Sequence, residues 1–372
     1  MARLGDVATY INGFAFKPSD WSDEGLPIIR IQDLTGNAYQ ANRYSGEYQK
    51  KYEVNEGDVL ISWSASLGVY VWRGEKAVLN QHIFKVVFDK AEVDKSFFVH
   101  QVQNILENAA TEAHGATMKH LTKPVFDALP FYLPNMEKQR EIAAVLDQVS
   151  NLIALRQEQL AKLDELVKAR FVEMFGTEED FGKWFCCTIS DVAEVCVGVV
   201  IKPTQYYAES GIPAFRSLNI GPMRVKDSDW VYFTEEGHRK NQKSVIRKND
   251  VLVVRSGAPG TACVVTDEYD GYNAVDIIIA HPKPNKVDSV FLAAFTNMPH
   301  GMNQIRERTG GAAQQHFNVG GYKAMNLILP PMELQKQFAA FVEQTNKTKL
   351  TIQSSLDKLE VMKKALMQEY FG

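Results

Sequence analysis

The side chains in this sequence best suited to chemistry are polar, and they sit in short stretches of small residues and glycine. In the first half these are Ile61 to Gly68, Leu79 to Lys85 and Gly115 to Thr122; in the second they are Val254 to Gly260, Tyr272 to Asp276 and Gly311 to Asn318. Each mixes a cation, an amide or a hydroxyl with residues small enough to let backbone approach a ligand. Arginine and lysine can bridge the acceptors of guanine, asparagine and glutamine can pair with adenine, and backbone amides can meet phosphate. The expected contact set is Lys17, Arg30, Trp63, Ser64, Gln81, His82, Lys119 and His120 in the first half. In the second it is Lys202, Arg216, Arg255, Ser256, Asn273, Gln314, Gln315 and His316. Arg30 and Arg216, each following an apolar run, fit a structural ion pair as well as a phosphate clamp.

Chemistry of other kinds lacks its residues. The chain has no G-x-x-x-x-G-K-[ST] phosphate loop and no G-x-G-x-x-G turn, so ATP hydrolysis is not expected of it. Its Pro330-Pro331 pair stands between Leu329 and Met332, which suits a helix start rather than a base-methylating loop. No Pro-Asp pair marks a metal-dependent nuclease, and the eight histidines show no metal-ligand spacing. No catalytic centre, cofactor or metal is therefore expected in this chain. Cys186, Cys187, Cys196 and Cys263 all fall in the second half, which argues against a repeated metal site or a disulfide framework.

The elements that must position the polar stretches come twice. Without a gap, residues 115–176 and 311–372 agree at about 21 of 62 positions, from Gly115/Gly311 and His120/His316 to a shared Phe-Gly ending. The front parts echo more loosely, as in Gly57-Asp58-Val59-Leu60 and Asn249-Asp250-Val251-Leu252. Such a repeat makes a pseudo-dimer, suited to a target that also has two halves. Each front part shows short β-branched runs separated by Gly, Asn, Asp and Pro, then a helical segment from Ser96 to about Glu112 or Ser289 to about Arg308, with the serine as cap. Each back part shows apolar residues at alternating spacings of four and three: Leu146, Val149, Ile153, Leu160, Leu163 and Val167, then Phe338, Val342, Ile352, Leu356 and Leu359. Cations interrupt both seams, at Arg156 and Arg170, then at Lys349 and Lys363. Two helices of about 33 residues, about 50 Å each, are predicted to pack antiparallel and return the C-terminus to the first domain.

Net charge is −4 and 45% of residues are hydrophobic, so any surface for nucleic acid must be a local patch. The densest cationic stretch is Arg239, Lys240, Lys243, Arg247 and Lys248. No apolar run is long enough to span a membrane, and the N-terminus enters the repeat directly, so a cytoplasmic protein is expected.

The doubled GDVLISWSAS and NDVLVVRSGAPG, together with LNQHIFKV, GATMKHLTKPVFDALPFYLP, GGAAQQHFNVGGYKAMNLILPPMELQ and the two glutamine-bearing helices ending in Phe-Gly, resemble the DNA-specificity subunits of Type I restriction–modification systems. The resemblance covers nearly the whole chain. It implies an α/β (α+β) fold with two pseudo-symmetric target-recognition domains separated by two long antiparallel helices that form a coiled-coil-like pair. The expected boundaries are 1–134 and 177–330 for the domains, and 135–176 and 331–372 for the spacer helices. It also implies double-stranded DNA, two methyltransferase subunits and restriction/translocase subunits as partners, with S-adenosylmethionine, ATP and magnesium bound by those partners. Two other classes compete. A stand-alone nuclease or methyltransferase lacks its motifs, and a coiled-coil scaffold leaves the polar loops without a task.

Overall fold

Asp58 and Asp250 each open a run of four apolar or small residues, and in the computed structural model these runs are the central strands Val59–Ser62 and Val251–Val254, buried along their whole length. The structure describes residues 1–36, 42–64, 66–112, 122–309 and 316–372. The chain divides into one unit of residues 1–157 with 354–372 and another of residues 158–353.

In the first unit, among the described residues, a four-stranded antiparallel sheet runs in the order Thr9–Asn12, Ile83–Val87, Val59–Ser62, Gly68–Val71. A second sheet runs Arg43–Tyr44, Leu26–Ile29, Ala77–Leu79, Glu53–Val54, with its inner two strands parallel. The second unit repeats the first sheet as Ala193–Val197, Ile277–Pro282, Val251–Val254, Ala262–Val264. Its other sheet keeps the parallel inner pair, Ile212–Phe215 with Asn273–Ala274. The central strands lack alternation because both faces are covered. Val251 and Val253 pack among Phe291 and Phe295, while Leu252 and Val254 pack among Phe215 and Ile246. Each such side chain contributes about 1.5–3 kcal/mol on burial.

Two glycines let the sheets of a unit meet. A Cβ on Gly13 would stand 2.1 Å from the carbonyl oxygen of Asn80, and one on Gly198 would stand 2.3 Å from that of Ala274. Here the first strand of each unit passes directly over the end of the second sheet, and backbone bonds join them: Phe14 N to Leu79 O at 2.8 Å, and Val199 N to Ala274 O at 2.8 Å.

The domain helices depart from expectation in two ways. Their caps are Asp94 and Asp288, whose carboxylates accept from Ser96 N and Phe97 N, and from Val290 N and Phe291 N. Ser96 and Ser289 instead donate to Asp147 and to the Asn249 carbonyl. A carboxylate accepts two amides at once, which a serine hydroxyl does less well. The second copy is also two helices, Ser289–Asn297 and Pro299–Arg308, because Pro299 has no amide to continue the first.

The long helices are Met136–Phe175 and Met332–Phe371, each opening just after its proline. Each is shared between the units, so the compact units cut the helices near their middles. In the second unit the helices lie antiparallel. Phe175 faces Phe338 at 5.6 Å between ring centroids, and Asp164 accepts from Lys349 at 2.6 Å. In the first unit Met367 joins Ile142 and Leu146 in one core. The seam cations are used: Lys349 pairs with Asp164, and Arg170 pairs with Glu173 while lying 5.7 Å over Phe341. Among the described residues, no helix is long and apolar enough to cross a membrane.

Candidate nucleic-acid interface

In each unit the loops that leave the strand ends converge around the glycine crossing. The central strand of the first unit ends at Ser62, and Trp63 follows it. Its ring stacks on Phe84 at 5.6 Å, approaches His82 at 5.5 Å, and its indole nitrogen donates to Asn12 Oδ1 at 3.3 Å. Ser64 is buried, and its carbonyl accepts from Ser62 Oγ. His82 is exposed and Gln81 half-buried, its amide nitrogen held by Asn80 Oδ1 at 2.7 Å. Trp63, Gln81 and His82 thus form one surface of aromatic and amide chemistry.

Strand register places Arg255 where the first unit has Trp63, since Ser62 pairs with Ile83 and Val254 with Ile277. The same position carries different chemistry. Arg255 is 8% exposed, and its guanidinium is held on three sides. One terminal nitrogen donates to Asp276 at 2.5 Å, the other meets His316 Nε2, and Nε donates to the Phe317 carbonyl at 3.3 Å. An arginine only donates, so His316 Nε2 accepts and its Nδ1 carries the proton, which it gives to Ser256 Oγ at 2.8 Å. His316 itself is exposed, so this braced cluster of Arg255, Ser256 and His316 presents an imidazole edge outward.

The remaining expected residues divide by burial. Lys17 and Lys202 are exposed, on loops just beyond Gly13 and Gly198. Lys202 has a left-handed backbone at φ 45, an uncommon conformation for a residue with a side chain. Arg30 is half-buried, with its guanidinium 4.3 Å over the Trp21 ring. Arg216 spends a nitrogen on the carbonyl of Asp229. The backbone amides of both arginines are capped in the same way, by Asp33 and Asn219 at 2.7 and 2.9 Å. Lys119, His120, Gln314 and Gln315 lie outside the described residues.

One expectation is corrected. Asn273 has no exposed surface; its amide bonds His238 and Ser244, at 2.7 and 2.8 Å, so it braces the inner strand instead of meeting a base. By register its equivalent in the first unit is Val78, a core position. The bridges Phe14 to Asn80 and Val199 to Val275 make Asn80 of the first unit the equivalent of Val275 in the second, so Gln81-His82 correspond to the turn at Asp276. The basic stretch is partly neutralised too, since Lys240 pairs with Glu236 and Lys248 with Asp267. Arg239, Lys243 and Arg247 remain exposed.

The structure also brings forward residues that sequence reasoning passed over. Asp276, at φ 51, holds Arg255 and donates its amide to Val199 O at 3.1 Å. Beside it Ile201 is 78% exposed and Val200 47%, while Phe14 is 40% exposed in the first unit. The signal was available in Gly13 to Pro18 and Gly198 to Pro203, which share Gly, Lys and Pro in register with apolar residues between.

The family of the Type I restriction modification DNA specificity domain matches residues 1–165 and 182–361. The specificity subunit of the type I restriction enzyme EcoBI from Escherichia coli is 24% identical over 92% of this chain and 78% of its own length. That of the MjaVIII enzyme from Methanocaldococcus jannaschii is 20% identical over 99% and 90%. In fold, the chain is similar to the S subunit of a type I restriction–modification system from M. genitalium, at TM-score 0.57 and 14% identity over 100% of this chain and 95% of that one. A chain from a structural study of type I complex assembly superposes at TM-score 0.52 and 15% identity, over 100% and 96%. With a family match over both repeats and the same doubled fold, the chain belongs to the DNA specificity subunits of type I restriction–modification systems.

Proposed function

We propose that each unit reads one half of a bipartite double-stranded DNA site. In this reading the two long helices set the distance between the half-sites and dock two adenine methyltransferase subunits, which restriction/translocase subunits join. The observation that carries it is the exchange of Trp63 for Arg255 at the end of equivalent central strands. A scaffold is kept and its outward chemistry changed, which suits two readers of different sequences. Trp63 and His82 offer flat surfaces and ring edges, whereas the cluster around Arg255 offers a fixed imidazole ring at His316 beside the Ser256 hydroxyl.

The chain itself contributes recognition and not catalysis. S-adenosylmethionine, ATP and magnesium belong to the partner subunits, which also supply most phosphate contacts, so a subunit of net charge −4 binds DNA weakly alone. Co-expression with the neighbouring methyltransferase, followed by mapping of methylated adenines, tests this reading. A split motif is expected, and exchanging residues 177–330 for those of a relative changes one half of it. A continuous motif, or none, would return the coiled-coil scaffold or the stand-alone enzyme to first place.

A further inference from the structure

Outside the strand-end surfaces, the second unit holds one more chemically organised group. Cys196 and His281 lie on neighbouring strands of its first sheet, and Asp250 immediately precedes the third, Val251–Val254. Asp250 Oδ1 stands 2.7 Å from His281 Nδ1, and His281 Nε2 stands 3.6 Å from Cys196 Sγ. Asp250 is 4% exposed and its second oxygen accepts from Arg247 N at 2.7 Å, so the carboxylate is fixed and the ring with it. Cys196 and His281 are only partly buried, leaving the sulfur a route to solvent.

This order of groups is that of an activated nucleophile: a carboxylate orients an imidazole, and the imidazole faces the sulfur. The Asp250 carboxylate, with Cys196 beside it, raises the His281 imidazole to about 10, so a cation faces the thiol at neutral pH. A neighbouring cation favours the thiolate, the reactive form. Glu194 stands opposite His281 in the strand register, and the Cys196 thiol donates to the Lys243 carbonyl at 3.5 Å. Among the described residues, the equivalent positions of the first unit carry different chemistry. Asp58, equivalent to Asp250, pairs with Lys85 at 2.9 Å, and Ile11 occupies the place of Cys196.

We propose that Cys196 is a thiol–disulfide exchange site for small disulfides. The Cys196 thiolate attacks one sulfur of the disulfide, and a new S–S bond forms as the old one breaks. The departing sulfur leaves as a thiolate beside the His281 cation and takes a proton from solvent. Cys196 is oxidised and the departing sulfur is reduced, so no further reagent is needed. The mixed disulfide moves Sγ off the Lys243 carbonyl and loosens the turn Gln242–Ser244. The site lies beyond the reading of DNA and does not depend on it.

The test treats the full chain with glutathione disulfide and follows each cysteine by mass spectrometry from pH 6 to 8. Cys186, the exposed thiol, is the internal comparison. Cys196, facing the His281 cation, is expected to react about tenfold faster than Cys186 at pH 7. His281→Gln should bring the rate at Cys196 down to that of Cys186 at the same pH. Hydrogen exchange over residues 242–246 should rise in the adduct. Slower reaction at Cys196 than at Cys186 in the unaltered chain would overturn the site, and this comparison does not rely on any variant folding. Unchanged exchange in a formed adduct would overturn the link to the turn.

Discussion

Phe371, the next-to-last residue of the chain, packs edge-on against Phe97 at 5.5 Å between centroids. Phe175, at the same place in the first repeat, packs against Phe291 at 5.0 Å. Each repeat therefore sends its closing phenylalanine into the core of the unit built around the other repeat's domain helix. The shared Phe-Gly ending is a packing device, and it ties each long helix to a unit at both ends.

Phe175 is 1% exposed, so Phe175→Ala should cost about 3–5 kcal/mol and act on the second unit. Phe371→Ala, at a half-buried site, should cost less and act on the first. Denaturation followed by hydrogen exchange in each unit measures both. Loss of protection in the first unit from Phe175→Ala would contradict the assignment.

The Asp250–His281 pair sets a pH dependence. His281 rises from its ordinary 6.5 to about 10, chiefly through its hydrogen bond to Asp250. The folded state thus holds the proton more tightly than the unfolded chain. Its contribution is complete below about pH 6.5, declines above that, and is gone once pH passes about 10. Melting of the second unit should show this decline, and Asp250→Asn should lower the melting temperature at pH 6 more than at pH 10.

Gly13→Ala and Gly198→Ala place a methyl group against a backbone carbonyl that cannot rotate away. Each should cost about 1–3 kcal/mol through overpacking and shift the loops beyond it. In a methylation map, Gly198→Ala should blur one half of the motif and Gly13→Ala the other. Equal damage to both halves by either variant would count against two independent readers.

Removing four residues from each long helix shortens it by about 6 Å. If the helices act as a ruler, the gap between half-sites shortens while the half-sites stay the same. Altered half-sites with an unchanged gap would refute the ruler.

Gln139 and Gln335 are each 1% exposed and do the same work twice. Their carbonyl oxygens accept from Asp94 N and Asp288 N at 2.9 Å, and their amide nitrogens donate to Pro134 O and Pro330 O at 2.8 Å. Gln335→Leu should cost about 1–3 kcal/mol in chemical denaturation, because it strands buried backbone groups. A neutral result would mean that water replaces the amide.

The repeat, the two long helices with their antiparallel seam, the β-branched strands and the family resemblance were legible in the sequence alone. Each is a periodic or local pattern, and burying a stripe or a strand needs only the right spacing of apolar residues. What each polar residue does was decided by tertiary structure. Asn273 and Arg255 look alike in sequence as polar loop residues, yet one is sealed within the inner strand and the other is braced by Asp276 and by His316, sixty-one residues away. Cys196 and His281 meet across 85 residues because two strands pair in one register. A cap at Asp94 instead of Ser96 was settled by which side chain could reach two amides at once. Hydrogen bonds depend on distance and direction between groups far apart in the chain, and only the folded arrangement of strands sets those.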